Sequence, residues 1–373
     1  MRPLLRKQHG RVFVAAVSAT RVLRMLVPRR SETASRPHAT SVAALGAQDG
    51  CSTDRIDAGE VVRPLIPDGL PSFVEQTFAE VLPVELPPLD VVTIPGGIVS
   101  APNGWISRDG RPDAPVAELR GTTLSMLAPH ASLYYHWLID VAPRAAMVVD
   151  RVPRHELHHV LVPPRLERFH LDLLDALDIE PGRRVEATEV AYRCERVICT
   201  TDANTGGFVR GSAARALRDA FGLADDSAGR ARLYIGRNDA TGRRVVNEDE
   251  VVAMLERYGF EATTMAHRSV REQATLFAAA EVVVAPHGGA LANLIFAPER
   301  SALIELIPAN YVSAYYFLLA SSRGIAYDAV MGTEPRALSA LRRELWRADL
   351  VVDVPALERK VARLLSEGTG PRP

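Results

Sequence analysis

The chain has 373 residues, 47% of them hydrophobic and 24% charged, an ordinary balance for a globular protein long enough for two domains with separate cores. A formal net charge of -1 gives no general attraction to nucleic acid. The three cysteines, Cys51, Cys194 and Cys199, are odd in number and lack metal-ligand spacing, which argues against a disulfide framework and a zinc site and makes a reducing, cytoplasmic setting the expectation.

Residues 1–60 read as a basic segment followed by a linker. Arg11, Arg21, Arg24, Arg29 and Arg30 flank two apolar runs that are shorter than the about 18–20 residues a membrane span needs. A surface-lying helix attracted to anionic lipid, and with it a peripheral place at the inner membrane face, is one reading, and a poorly ordered tail is the other. No cleavage site marks a signal peptide. Residues 31–60 are rich in Ser, Thr, Ala and Gly with little periodicity, so the folded part is expected to begin near Val61.

Residues 61–222 read as an amino-side α/β domain. Prolines and glycines between short apolar runs up to Leu119 predict short strands and hairpins, with Trp105 read as a packing residue against the alternative of an acceptor platform. Tyr134–Val149 reads as a helix carrying His136, Asp140 and Arg144 at spacings of four, one face of an unbroken helix. Pro143 removes a backbone hydrogen bond and is expected to kink this helix or start a new one. A strand at His159–Val162, a helix at Arg168–Leu177, strands near Val185–Ala191 and Arg196–Thr200, and a helix at Ser212–Phe221 follow. His155-Glu156-Leu157-His158-His159 fits the His-Glu-x-x-His zinc pattern literally, but Pro153 before it and a strand-like run after it leave no room for the helix that pattern needs.

Residues 231–331 alternate strictly. Strands are expected at Leu233–Gly236, Phe260–Thr264, Glu281–Ala285, Ala302–Ile307 and Ile325–Val330, with helices between them and a capping box from Asn247 to Glu250. That alternation predicts a parallel sheet covered on both faces, with ligands at the carboxyl ends of its strands. Arg237 and His287 stand at such ends. His287-Gly288-Gly289 joins a strand to a helix, and two glycines there let backbone N–H groups approach an anion while the helix N-terminus adds partial positive charge. A diphosphate suits this turn. A lipase-type oxyanion loop also begins His-Gly-Gly but needs a Gly-x-Ser-x-Gly turn, which the sequence lacks. Residues 332–373 read as a C-terminal helical segment whose last helix is expected to pack back on the amino-side domain.

Tyr234-Ile235-Gly236-Arg237, Arg243-Arg244-Val245-Val246-Asn247-Glu248, Glu272-Gln273, Ala285-Pro286-His287-Gly288-Gly289-Ala290-Leu291-Ala292-Asn293 and Ile304-Glu305-Leu306, in that order, resemble the motifs of glycosyltransferase family 61. His136-Trp137-Leu138-Ile139-Asp140 with Pro143-Arg144 is similar to a further motif of the family, and the resemblance covers residues 90–330. The family usually has Ser where Gly236 stands. The resemblance implies a GT-B arrangement of two facing Rossmann-like domains, inversion at the anomeric carbon and no obligatory metal or other cofactor. It also implies a nucleotide-sugar donor, UDP-linked by family precedent, and a glycan or lipid-linked acceptor in capsular or other surface polysaccharide synthesis.

Within that frame Arg237 and Arg243 neutralise the departing diphosphate, with Arg244 as their neighbour, and the alternative is a set of exposed loop cations. Asn247 and Glu248 are donor-site neighbours or, for Asn247, simply a helix cap. Glu305 accepts from ribose hydroxyls or makes a structural ion pair. Asn293 faces the donor or ties the loop. Inverting transfer needs a base on the far side of the cleft, and the His136–Asp140 pair is the candidate, against a structural hydrogen bond. The rival from another class is a non-catalytic nucleotide-sugar sensor or scaffold of the same fold.

Overall fold

The computed structural model describes residues 42–108, 116–223, 230–335 and 347–367. In chain order its amino-side strands are β1 (Ser52–Asp57), β2 (Glu60–Val62), β3 (Val84–Leu86), β4 (Leu89–Pro95), β5 (Ile98–Ser100), β6 (Trp105–Ser107), β7 (Val116–Ser125), β8 (Leu157–Val162), β9 (Arg184–Glu186), β10 (Ala191–Thr200), β11 (Asn204–Thr205) and β12 (Phe208–Val209). Eight of them form one mixed sheet in the order β1-β4-β10-β7-β8-β9, with β5 on β10 and β6 on β5. β7, β8, β9 and β10 pair in parallel, and the edge formed by β1 and β4 is antiparallel. The expected short strands and hairpins are present.

The expected linker is partly wrong, because β1 lies inside residues 31–60 and pairs along β4. Its sequence, Ser-Thr-Asp-Arg-Ile-Asp, is exposed at four of six positions. An edge strand held by backbone bonds needs no apolar alternation, so the sequence carries little sign of it. Residues 1–41, with the basic run, lie outside the described residues. Trp105 is 41% exposed, so it is not the packing residue expected.

The carboxyl-side strands are β13 (Ala231–Ile235), β14 (Phe260–Thr263), β15 (Ala280–Pro286), β16 (Ala302–Ile307) and β17 (Ala326–Met331), all parallel in the order β14-β13-β15-β16-β17. Alternate residues serve two cores. Leu233, Ile235, Val283, Ala285, Leu303 and Ile307 face one. Tyr234, Val282, Val284, Ile304 and Leu306 face the other. Both faces are covered, which is why these strands read as near-continuous apolar runs. The first of these cores continues into the amino-side sheet, where Val91, Leu124, Val160 and Ile198 join it together with Trp137, Val148 and Leu217 of the intervening helices.

The last helix, Val354–Glu367, departs from expectation. It packs on the Glu248–Glu256 helix and β17, with Leu357, Val361 and Leu364 in the second carboxyl-side core, and not on the amino-side sheet. Two of its cations fix it there: Lys360 Nζ and Arg363 Nη2 donate to the buried Asp328 carboxylate of β17 at 2.6 and 2.7 Å. The helix expected over Glu334–Ala348 lies mostly outside the described residues. His155 sits in a short 3-10 turn and His158 and His159 lie on β8, so the zinc-like pattern never forms a helical face. Among the described residues no group of three His, Cys, Asp or Glu is placed to hold a metal ion. No helix among them is long and apolar enough to cross a membrane.

The Asp328 clasp sets an expectation. Asp328→Asn removes two charge-assisted bonds and should cost about 1–3 kcal/mol in denaturant unfolding. A loss below about 0.5 kcal/mol would mean that apolar packing alone seats the last helix.

Candidate active site

The strand order turns round between β13 and β15. Chain segments leaving their carboxyl ends diverge there and open the crevice where open parallel sheets take ligands. Gly236 and Arg237 follow β13, and His287, Gly288 and Gly289 follow β15, so the motifs that stood far apart in sequence meet at this point. Arg237 crosses directly over Gly288: a Cβ built on that glycine would overlap the guanidinium. Arg237 Nε and Nη2 reach only the Gly242 carbonyl, at 3.3 Å each. Arg243 stands beside it with φ 58°, a left-handed conformation costly for arginine, and its guanidinium lies 5.4 Å over the Tyr311 ring.

Neither arginine makes an ion pair with a carboxylate among the described residues. Burial, and next the positive charge of Arg243, push the Arg237 pKa below its ordinary value. Two half-buried cations beside one another, with the Asp239 carboxylate offsetting the charge on Arg237 only in part, are unfavourable alone, and a bound anion relieves both penalties. Gly289, on the crevice side, has open space where a side chain would stand, and it begins a 3-10 helix, Gly289–Phe296, in place of the expected α-helix. The first N–H groups of such a turn have no partner within it.

His287 is fixed from several sides. Its Nδ1 meets Glu305 Oε1 at 2.5 Å, Tyr327 donates to Glu305 Oε2 at 2.7 Å, and the Tyr316 hydroxyl donates to the Gly288 carbonyl at 2.6 Å. Tyr311 and Tyr316 pack their rings 5.0 and 4.9 Å from the imidazole. Burial holds the His287 pKa below its ordinary 6.5, against the opposing pull of Glu305, so the ring is neutral near pH 7. Both oxygens of the fully buried Glu305 are taken, by His287 and Tyr327.

The crevice is about 390 Å³ and is walled on the carboxyl side by Gly236, Arg237, Met265 and Gly289, and on the amino side by Tyr134 and Phe169. The walls are tied together. The Tyr134 hydroxyl donates to Asn293 Oδ1 at 2.7 Å, and Asn293 Nδ2 donates to Gln273 Oε1 at 2.8 Å. Asn293 is fully buried in this tie. Glu248 accepts from Tyr234 and Asn238 just beneath Gly236. Asn247 does not form the expected capping box; its amide pairs both ways with the Val352 backbone, at 2.9 Å each. Arg244 is paired with Asp349 at 3.0 Å and faces away from Arg237 and Arg243 in its bonding.

His136 and Asp140 lie in a second pocket of about 250 Å³, with His130, Arg144, Asp202 and Asn204. Of the two expected effects of Pro143 the second is found: Trp137–Val141 forms a π-helical turn and a new helix, Ala142–Arg151, starts with Pro143 in its first turn, while Arg144 still lines the pocket with His136 and Asp140. His136 Nδ1 meets Asp140 Oδ2 at 2.6 Å. Asn204 Nδ2 donates to Asp140 Oδ1 and to the Ile139 carbonyl, 2.8 Å each. The structure thus assembles Arg237, Arg243, His287, Gly288 and Gly289 at one locus and His136 with Asp140 at another. Sequence reading missed Tyr134, Asn204, Tyr316 and Tyr327, single polar groups remote in sequence from their partners.

The family model described as Glycosyltransferase 61 matches residues 134–304, a stretch that begins at the Tyr134 tie and ends within β16. This region belongs to that family, and the class of reaction it indicates is glycosyl transfer. A search of curated proteins finds no match. Among solved structures the chain is similar to a D-isomer specific 2-hydroxyacid dehydrogenase family protein from Klebsiella pneumoniae 342, at 12% identity over 69% of this chain and 94% of that one, with a TM-score of 0.20. A likeness so low carries no argument.

Gly288→Ala is expected to leave stability nearly unchanged, because the end of a flexible arginine can move aside, yet to weaken nucleoside diphosphate binding about tenfold or more. Calorimetric titration beside a thermal melt reads both, and undiminished binding would show that Arg237 is not needed where it lies. A second expectation concerns pH. His170, behind Phe169, accepts the Glu167 N–H at Nδ1 and meets the Ala131 carbonyl through Nε2, a pairing that specifies the neutral ring. Burial lowers its pKa, as it does that of His287. Each folded value lies below the unfolded one, so this stability is complete above 6.5 and is lost as pH falls through the depressed value, by up to about 1.4 kcal/mol per pH unit and group. His170→Gln should show a shallower loss than wild type between about pH 6.5 and 5.5. An unchanged slope would contradict this.

Proposed function

We propose that the chain transfers a sugar from a nucleoside diphosphate donor to a hydroxyl of a glycan or lipid-linked acceptor, with inversion and without an obligatory metal. The observation that carries the proposal is the Arg237 guanidinium over Gly288 with Arg243 beside it, neither in an ion pair with a carboxylate among the described residues, at the place where the sheet order reverses. A diphosphate at this point would meet Arg237, Arg243 and the first N–H groups of the 289–296 turn. His287, neutral and held at Nδ1 by Glu305, offers Nε2 as a further contact. The sheet next to it, on the amino side of the crevice, would serve the acceptor in a GT-B manner.

In the reaction the acceptor hydroxyl loses its proton to His136 Nε2 while Asp140 steadies the imidazolium that forms at Nδ1. The acceptor oxygen attacks the anomeric carbon from the face opposite the diphosphate. The bond from that carbon to the phosphate oxygen breaks, and the two arginines take up the charge that develops on the leaving group. UDP is the donor base favoured by the family resemblance, and a role in capsular or other surface polysaccharide synthesis, at the cytoplasmic face of a membrane, is the setting that resemblance favours.

Thermal unfolding against a panel of nucleoside diphosphates tests the donor half. A ligand present at about 100 times its dissociation constant should stabilise wild type by about 2.7 kcal/mol and leave Arg237→Ala unmoved. Absence of a shift with every nucleotide would favour a scaffold that has lost donor binding. For the base, His136→Ala should lower transfer about 10²–10⁴-fold with donor binding retained. Transfer undiminished in that variant would remove His136 from the mechanism.

A further inference from the structure

We infer that Asn204 is a positioning residue for the His136–Asp140 pair, an inference that rests on the reading of His136 as the base. In an α-helical register the donor to the Ile139 carbonyl would be residue 143, but Pro143 has no N–H to give. Asn204 Nδ2 donates to that carbonyl instead, at 2.8 Å. The second hydrogen of the same amide goes to Asp140 Oδ1, also at 2.8 Å. Both donors of Asn204 are thereby committed, one to the backbone turn that aims Asp140 and one to the carboxylate itself. Asp140 Oδ2 remains for His136 Nδ1 at 2.6 Å. The proton on that bond belongs to Nδ1, which leaves the lone pair on Nε2 for the pocket.

Asn204 is itself anchored from the other half of the molecule. It begins the short β11–β12 hairpin, pairing with Val209. The turn contains Gly206 and Gly207 at φ 58° and 105°, and a Cβ on Gly207 would come within 2.7 Å of the Tyr315 carbonyl oxygen. Only glycine allows the hairpin to sit that close to the Tyr315–Ser322 helix. The next residue of that helix, Tyr316, holds the Gly288 carbonyl beside Arg237. Asn204 therefore stands between the helix that supports the phosphate turn and the carboxylate that orients the base.

The test uses the full chain with Asn204→Ala and, as a milder change keeping one donor, Asn204→Ser. Ring ¹⁵N NMR at a pH where imidazoles are neutral reports the tautomer of His136, assigned by loss of its signals in His136→Gln. Wild type should show a single Nδ1–H form. Asn204→Ala should show a mixture of tautomers, with Asn204→Ser between the two. Turnover of the sugar nucleotide whose diphosphate stabilises the protein should fall at least tenfold in Asn204→Ala through kcat, with donor KM within about twofold of wild type. A single Nδ1–H form and unchanged kcat in both variants would overturn the inference, leaving Asn204 as a cap of the π-turn. The two readings fail separately: if His136→Ala keeps its activity, the base assignment fails, whereas an inactive His136→Ala with fully active Asn204 variants sinks only the positioning role.

Discussion

Two guanidinium groups held side by side without a carboxylate are the constraint around which this structure is arranged. Arg237 lies over a glycine because no other residue would leave it room, and Arg243 occupies a left-handed backbone conformation to reach the same place. Glu305 is occupied by His287 and Tyr327 and Glu248 by Tyr234 and Asn238, while Asp239, which also lines the crevice, makes no ion pair with either arginine and accepts from the Ala266 N–H. The protein thus keeps positive charge available in a partly desolvated crevice, which is costly unless an anion arrives. In the proposed reaction a leaving diphosphate would be such an anion, and its developing charge would be met by groups already in position.

The second requirement is that a base be held at a defined place relative to that crevice. Several contacts join the two loci. The Tyr134–Asn293–Gln273 tie fixes the start of the helix that carries His136 against the turn that carries His287. A run of rings continues the connection, from His136 to Tyr135 at 5.2 Å, Tyr135 to Tyr316 at 5.8 Å, and Tyr316 to His287 at 4.9 Å. The apolar core likewise passes from one sheet to the other through the intervening helices. The His136 pocket is lined by amino-side residues alone, consistent with a division in which one sheet presents the base and the other the phosphate site.

Much of the parallel sheet was legible in the sequence because strands buried on both faces must be apolar throughout, and their alternation with helices admits few topologies. Arg237, His287 and Gly288 were legible for the same reason: they follow those strands directly. What escaped reading depended on partners distant in the chain. Asn247 had a local capping explanation, yet its amide found the Val352 backbone. The β1 strand is polar and relies on ladder bonds to β4. The last helix had an apolar stripe suited to either sheet, and Asp328, a lone acidic residue in a strand, decided where it lies. Asn204 begins a glycine-containing hairpin that carries no motif, and its partners, the Ile139 carbonyl and Asp140, lie more than sixty residues earlier in the chain.

In the proposed reaction a nucleoside diphosphate would be bound where the sheet order reverses. A crystal structure of the protein with the diphosphate that stabilises it most answers this directly. Both phosphates should lie over the Gly288–Gly289 turn, within hydrogen-bonding distance of the Arg237 and Arg243 guanidinium groups and of backbone N–H at the start of the 289–296 helix. Phosphates bound elsewhere, with Arg237 and Arg243 left empty, would contradict it.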